Sequence, residues 1–168
     1  MFPIALYQPV IPQNVGNISR TCVGMGAPLH VIGPTLVDFD DAKVRRAGLD
    51  HWDDLDLTLH DSPEEFVDWL TAAGKRPWLV TKFGSTRYDR ADYTPSDDVL
   101  LFGAEKVGLP EAWRDRWAER CVHIPIPSSR IRSYNLANSV AVLLSMAMSR
   151  SNAWPSDWSP APERGDEG

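Results

Sequence analysis

The stretch that decides the fold is "LLFGAEKVGLP", residues 100–110. A short apolar run stops at Gly103, passes through an acid and a second glycine, Gly108, and meets Pro110, a residue type suited to the first turn of a helix. This is the transition from a buried strand through a tight loop into a helix. Glycine at the carboxyl end of a parallel strand lets a ligand come close to the backbone, and that end is where open α/β sheets bind ligands. The two glycines have the spacing of a phosphate-binding loop, but Leu109 stands where that loop needs lysine. "GMGAPL" (24–29) likewise lacks the third glycine of a dinucleotide fingerprint.

Working outward, further apolar runs occur at "PIALY" (3–7), "LHVIG" (29–33), "LDLTLH" (55–60), "PWLVT" (77–81) and "CVHIPI" (121–126). Between them the pattern predicts helices over 15–25, about 40–47, 63–73, 110–118 and 135–150. Strands alternating with helices predict an α/β fold with a mostly parallel sheet flanked by helices, and near-continuous apolar strands predict cover on both faces. "ANSVAVLLSMAM" (137–148) is apolar nearly all round, as in a helix that is buried or packs on a second subunit.

At 168 residues, with 43% apolar and 24% charged residues, the chain has the length and composition of one soluble domain. We expect that domain over 1–153, followed by a disordered tail rich in proline and acid over 154–168. No apolar run reaches the length of a membrane span, and the N-terminus lacks a signal peptide's basic and cleavage regions, so a cytoplasmic protein is expected. Cys22 and Cys121 are far apart with no CxxC, which argues against a disulfide scaffold and a zinc site. His30, His51, His60 and His123 show no ligand spacing. The net charge of −6 speaks weakly against nucleic acid as a partner. Half of it lies in the last twelve residues, however, and local clusters matter more than the sum.

Two further stretches stand out. In "NVGNISR" (14–20), Asn14 predicts an N-cap and Gly26 a C-terminal stop. Val15, Ile18, Cys22 and Met25 share one helical face and Arg20 lies nearly opposite, either solvated or aimed at a ligand. In "IPIPSSRIRSYNLANSVAV" (124–142), Pro125 and Pro127 stiffen a polar loop carrying Arg130 and Arg132. Ser133 and Asn135 sit at the mouth of the long apolar helix, where capping is the plain reading.

Together, in this order and at these distances, the three stretches resemble the three motifs of the SPOUT superfamily of RNA methyltransferases. The likeness is closest to the TrmL (YibK-like) type, which methylates the wobble 2′-O in certain tRNAs. "LYQPVIPQNVGNISR" and "RRAGLDHW" (45–52) add to the likeness, which covers roughly residues 4–150. The resemblance implies a C-terminal deep trefoil knot and a homodimer whose interface includes helices 15–25 and 136–148. It also implies S-adenosyl-L-methionine as methyl donor, S-adenosyl-L-homocysteine as product, and no metal. Leu79, Gly103, Ile124 and Ser133 match cofactor-contacting positions, and Glu105 and Gly108 fall in the same cofactor-binding motif. Arg20 matches the arginine beside the target ribose, with Ser133 and Asn135 as further catalytic candidates. The sequence departs from the pattern in a third motif one residue longer ("SSRIRS"), in Tyr134, and in Lys106 and Val107.

The chemistry suits these residues. Arginine is almost never deprotonated, so Arg20 is better placed to hold a phosphate and stabilise charge developing on the ribose oxygen than to act as a base. RNA contact is expected from Asn14, Lys43, Arg45, Arg46, Arg130 and Arg132, with His51, Trp52 and Tyr134 as possible stacking groups. The expected substrate is the wobble cytidine or uridine of tRNA. The alternatives are a SPOUT enzyme acting on ribosomal RNA or another tRNA position, and a non-catalytic RNA- or nucleotide-binding module.

Overall fold

The computed structural model describes residues 1–37, 39 and 51–156. The helix expected near 40–47, with Lys43, Arg45 and Arg46, and residues 157–168 of the expected tail lie outside them. Seven strands form one sheet: β1 (Ile4–Tyr7), β2 (Leu29–Ile32), β3 (Leu57–His60), β4 (Arg76–Val80), β5 (Thr86–Arg87), β6 (Asp98–Phe102) and β7 (Cys121–His123). Their order is β3-β2-β1-β6-β4-β7-β5, and every pair is parallel. The α-helices among the described residues are α1 (Pro12–Met25), α2 (Pro63–Ala72), α3 (Glu111–Arg116) and α4 (Leu136–Arg150).

The strands read as unbroken apolar runs because alternate side chains enter two different cores. Ile4, Leu6, Leu29, Val31, Leu100 and Phe102 pack with Val15, Ile18 and Cys22 of α1 and Val140, Leu143 and Ala147 of α4. Ala5, Leu79, Val99, Leu101 and Cys121 face the other way, onto Phe66 and Leu70 of α2 and Trp113 of α3. The result is three layers, helix on sheet on helix. β5 escaped the sequence reading because its two residues are polar and its pairing is confined to the edge of β7. Helix α1 begins at Pro12, two residues before Asn14, with Ile11 as its N-cap and no capping side chain there; Gly26, at φ 64°, ends it as expected. Trp154 is held by its indole N–H, which donates to Ser149 Oγ at 2.9 Å.

Two polar clusters with buried members brace the sheet. His30 on β2 and His60 on β3 share a hydrogen bond (Nδ1 to Nε2, 3.0 Å), with Trp69 of α2 against the His30 ring. Burial, then the charge of His60, pushes His30 down to about 4, and burial lowers His60 as well. Both rings are therefore neutral struts near pH 7.

The second cluster surrounds Asp98, which is fully buried at the start of β6. Its carboxylate accepts from Trp78 Nε1 at 2.9 Å, the Thr94 amide at 2.8 Å and Arg120 Nη2 at 2.6 Å. Arg76 lies 3.2 Å away. Arg120 also donates to the Pro77 carbonyl at 3.0 Å and lies over the Trp78 ring. One carboxylate thus ties β4, β6 and the turn entering β7. Removing it leaves a guanidinium without its counter-charge. Asp98→Ala should therefore lower the unfolding free energy by about 3–5 kcal/mol, seen as a lower urea midpoint at unchanged slope.

Candidate active site

The loops leaving the carboxyl ends of β4 and β6 and the segment after β7 enclose one cavity of about 640 Å³ with the N-termini of α1 and α4. Its lining includes Gly103, Glu105, Gly108, Ile124, Ser133 and Asn135. Segments 80 or more residues apart in sequence meet there because the sheet order puts β6 between β1 and β4.

Three side chains hold the segments together. Glu105 reaches across from the loop after β6 to the N-terminus of α1. Its Oε2 accepts from the Val10 amide at 3.0 Å, and its Oε1 accepts from the Ile11 amide at 3.2 Å and from Asn14 Nδ2 at 3.0 Å. Asn14 is buried, and its Oδ1 accepts from Asn135 Nδ2 at 2.9 Å. Asn135 Oδ1 in turn accepts from the Ala137 and Asn138 amides and caps α4. A carboxylate offers only acceptors, so each amide in the chain has one orientation that satisfies it.

Around this network the backbone is crowded. A methyl group on Gly103 would lie 2.3–2.7 Å from backbone atoms of Gly108 and Leu109. The loop curls back because the Gly108 amide donates to the Ala104 carbonyl at 2.8 Å, with Gly108 at φ 73°. Similarly, a methyl group on Gly84 would strike the Val122 backbone at 2.5–2.8 Å. Only glycine fits at either place.

The expected site residues divide. Gly103, Glu105, Gly108, Ile124, Ser133, Asn135 and Arg132 converge on the cavity. Leu79 is wholly buried in the sheet, and its neighbour Val80 reaches the lining instead. Asn14 lines the cavity with both ends of its amide engaged by protein, Nδ2 on Glu105 and Oδ1 on Asn135. It is not the cap of α1: the anion at that terminus comes from Glu105. The Glu105 carboxylate is likewise engaged, by the Val10 and Ile11 amides just ahead of α1 and by Asn14. Arg20 is exposed on the outer face of α1, no ion pair among the described residues holds it, and it does not line its own chain's cavity. Arg130 is exposed outside the lining. Tyr134 lines the cavity, and its hydroxyl donates to the Pro125 carbonyl at 3.1 Å. Lys82, Phe83 and Arg114 line it without having been expected. They lie outside the three motifs, and no periodicity marks them.

The cavity can take a cofactor-sized molecule. Its volume lies within the roughly 300–1,000 Å³ of small-molecule sites, and its walls mix apolar side chains with backbone left accessible by glycine. An α/β sheet with a cavity at its carboxyl edge, lined by glycine loops and two helix N-termini, is the ligand-binding frame of open α/β proteins. Comparison with known proteins identifies which: the sequence model of the SpoU rRNA Methylase family matches residues 1–145, and the chain belongs to that family. It is 41% identical over 145 residues to the tRNA (cytidine(34)-2′-O)-methyltransferase of Methylovorus glucosotrophus, covering 86% of this chain and 92% of that one. A solved structure concerned with the 2-OH methylation of C/U34 on tRNA matches at a TM-score of 0.84 and 39% identity, over 92% of this chain and 98% of the other. An AdoMet-bound rRNA methyltransferase from Sinorhizobium meliloti matches at a TM-score of 0.80 and 30% identity, over 88% of this chain but only 56% of that one.

Glu105→Ala strips the acceptors from two backbone amides and the Asn14 amide. It should lower stability by about 1–3 kcal/mol and weaken S-adenosyl-L-homocysteine binding by calorimetry. A double-mutant cycle with Asn14→Ala should be strongly non-additive, because both act on one network.

Proposed function

We propose that this protein methylates the ribose 2′-O of the wobble nucleotide, cytidine or uridine, in tRNA anticodon loops, using S-adenosyl-L-methionine. The observation that carries the reading is the joining of all three motifs around one cavity by Glu105, Asn14 and Asn135. The choice of tRNA over ribosomal RNA is supported by likeness: the chain is 41% identical to the tRNA (cytidine(34)-2′-O)-methyltransferase and 39% to the C/U34 structure, against 30% to the rRNA enzyme.

Gly103, Gly108, Ile124 and Ser133, with backbone near Val80, would hold the cofactor. When bound, S-adenosyl-L-methionine supplies an electrophilic methyl group and leaves as S-adenosyl-L-homocysteine. The protein's contribution is to position the ribose hydroxyl and to stabilise charge as its proton departs. Ser133 and Asn135, at the mouth of α4, would orient the hydroxyl. Arg20 would hold the neighbouring phosphate and the developing negative charge on O2′.

Arg20 lies outside its own chain's cavity, and a homodimer provides the means to use it: α1 carries it on an outer face, and a second copy packed on α1 and α4 can present it to the partner's site. Val142, a large apolar side chain left exposed on α4, supports that packing. We propose the trefoil knot on similar grounds. β4 sits between β6 and β7, and the loop leaving β4 meets the backbone of β7 at Gly84, a close approach between distant segments that supports threading. The expected setting is the cytoplasm, where tRNA is.

Incubation with labelled S-adenosyl-L-methionine and total tRNA, with nucleosides resolved by mass spectrometry, should give a 2′-O-methylated pyrimidine at the wobble position. Arg20→Ala should reduce kcat by about 100-fold or more while S-adenosyl-L-homocysteine binding persists. Transfer to ribosomal RNA alone would overturn the substrate. Light scattering at micromolar concentration should return twice the chain mass, and a monomeric mass would remove the shared-site account of Arg20.

A further inference from the structure

Phe83 is an anomaly. It lines the cavity yet is 64% exposed, a large apolar ring left in solvent at the mouth of a polar site. It is not on a loose loop. Its amide donates to Thr81 Oγ1 at 3.3 Å, the Gly84 amide donates to the Thr81 carbonyl at 3.2 Å, and Gly84 is wedged against the Val122 backbone. The turn therefore holds the ring in place.

Two cations attend the ring. The Arg114 guanidinium carbon lies 4.6 Å from its centroid, and Lys82 Nζ lies 5.1 Å away. Arg114 Nε is buried and has no hydrogen-bond partner among the described residues. A buried, charged donor with no acceptor is costly. It is tolerated where a ligand supplies the acceptor. Both cations line the same cavity as Ser133 and Asn135.

We infer that Lys82, Phe83 and Arg114 form an RNA subsite: Phe83, with the Arg114 guanidinium over its ring, stacks an unpaired base next to the target nucleotide, and the Arg114 guanidinium and Lys82 hold a phosphate. The subsite rests on the RNA-methyltransferase reading and specifies how an anticodon loop is splayed at this cavity. An exposed ring, a planar guanidinium and a free charged donor together suit a base with its phosphate. An apolar ligand would leave both cations unanswered. An isolated anion would leave the ring unused. A chain of net charge −6 needs such local cations if it is to hold RNA.

The test is equilibrium binding of the full-length protein, by fluorescence anisotropy with a labelled anticodon-loop RNA oligonucleotide and by calorimetry with S-adenosyl-L-homocysteine. Phe83→Ala should weaken RNA binding roughly 5- to 150-fold, the span of alanine substitutions at base-stacking aromatics. Phe83→Trp should restore it, and cofactor affinity should be unmoved in both. Arg114→Met, which keeps the stem, should make the slope of log Kd against log salt shallower by about 0.7, as for one lost phosphate contact on a single strand. If Phe83→Ala binds RNA as the wild type does, the subsite is wrong and the wider reading stands. If it instead loses S-adenosyl-L-homocysteine, the ring belongs to the cofactor site and the subsite is again wrong. Failure of the wild type to bind the RNA would overturn both readings together.

Discussion

Glu105 is the residue on which the site depends. Helix α1 starts without a capping side chain and without an acid in its first turn, so its partial positive charge needs a partner from elsewhere. The partner is the Glu105 carboxylate, in the loop after β6, which accepts from the Val10 and Ile11 amides just ahead of the helix. The arrangement has two consequences. The loop 103–109 must fold toward β1, which forces Gly103 and Gly108 into their tight approach. Asn14 must turn its NH2 toward Glu105, which leaves its oxygen for Asn135, and Asn135 in turn sets the start of α4. One charge therefore fixes the relative placement of three segments that sequence alone lists separately.

Much of the fold was legible because burial on both sides of a parallel sheet leaves a plain signature. The six apolar runs read as strands are strands, and their bounds shift by a few residues at most. Helix α4 was legible because its apolar residues run all round. What was not legible depends on contacts between distant segments. Asn14 looks like a cap because asparagine after an extended segment usually is one. Pro12 moves the helix start upstream, and only the presence of Glu105 explains what the amide does instead. Glu105 itself reads as a residue in a glycine loop that faces a ligand, and nothing local reveals that its acceptors are already taken.

The candidate site shows the same division. Motif residues were findable because three short patterns carry a family likeness in order. Phe83 and Arg114 belong to no pattern: one sits in a turn, the other on a short helix, and their meeting is set by how the turn after β4 and helix α3 reach the same cavity. Arg20 is the opposite case. Its place in the motif was legible in the sequence, while its exposed position on α1, outside the lining of the cavity, is set by the helix face that the core leaves free.

That separation bears on how an acidic protein can act on RNA. Phosphate recognition does not need a positive total, since charges farther apart than about 8–10 Å are largely screened at physiological salt. It needs cations near the reacting groups and acids kept away from them or neutralised. Asp98, buried among Arg76, Arg120 and Trp78, is one such acid, and Glu105, spent on the Val10 and Ile11 amides and on Asn14, is another. Arg114 and Lys82 remain unpaired with acid among the described residues and line the cavity, together with Arg132. The acids that brace the fold are thus consumed by backbone and arginine partners, while the cations at the cavity keep their charge for an anionic ligand.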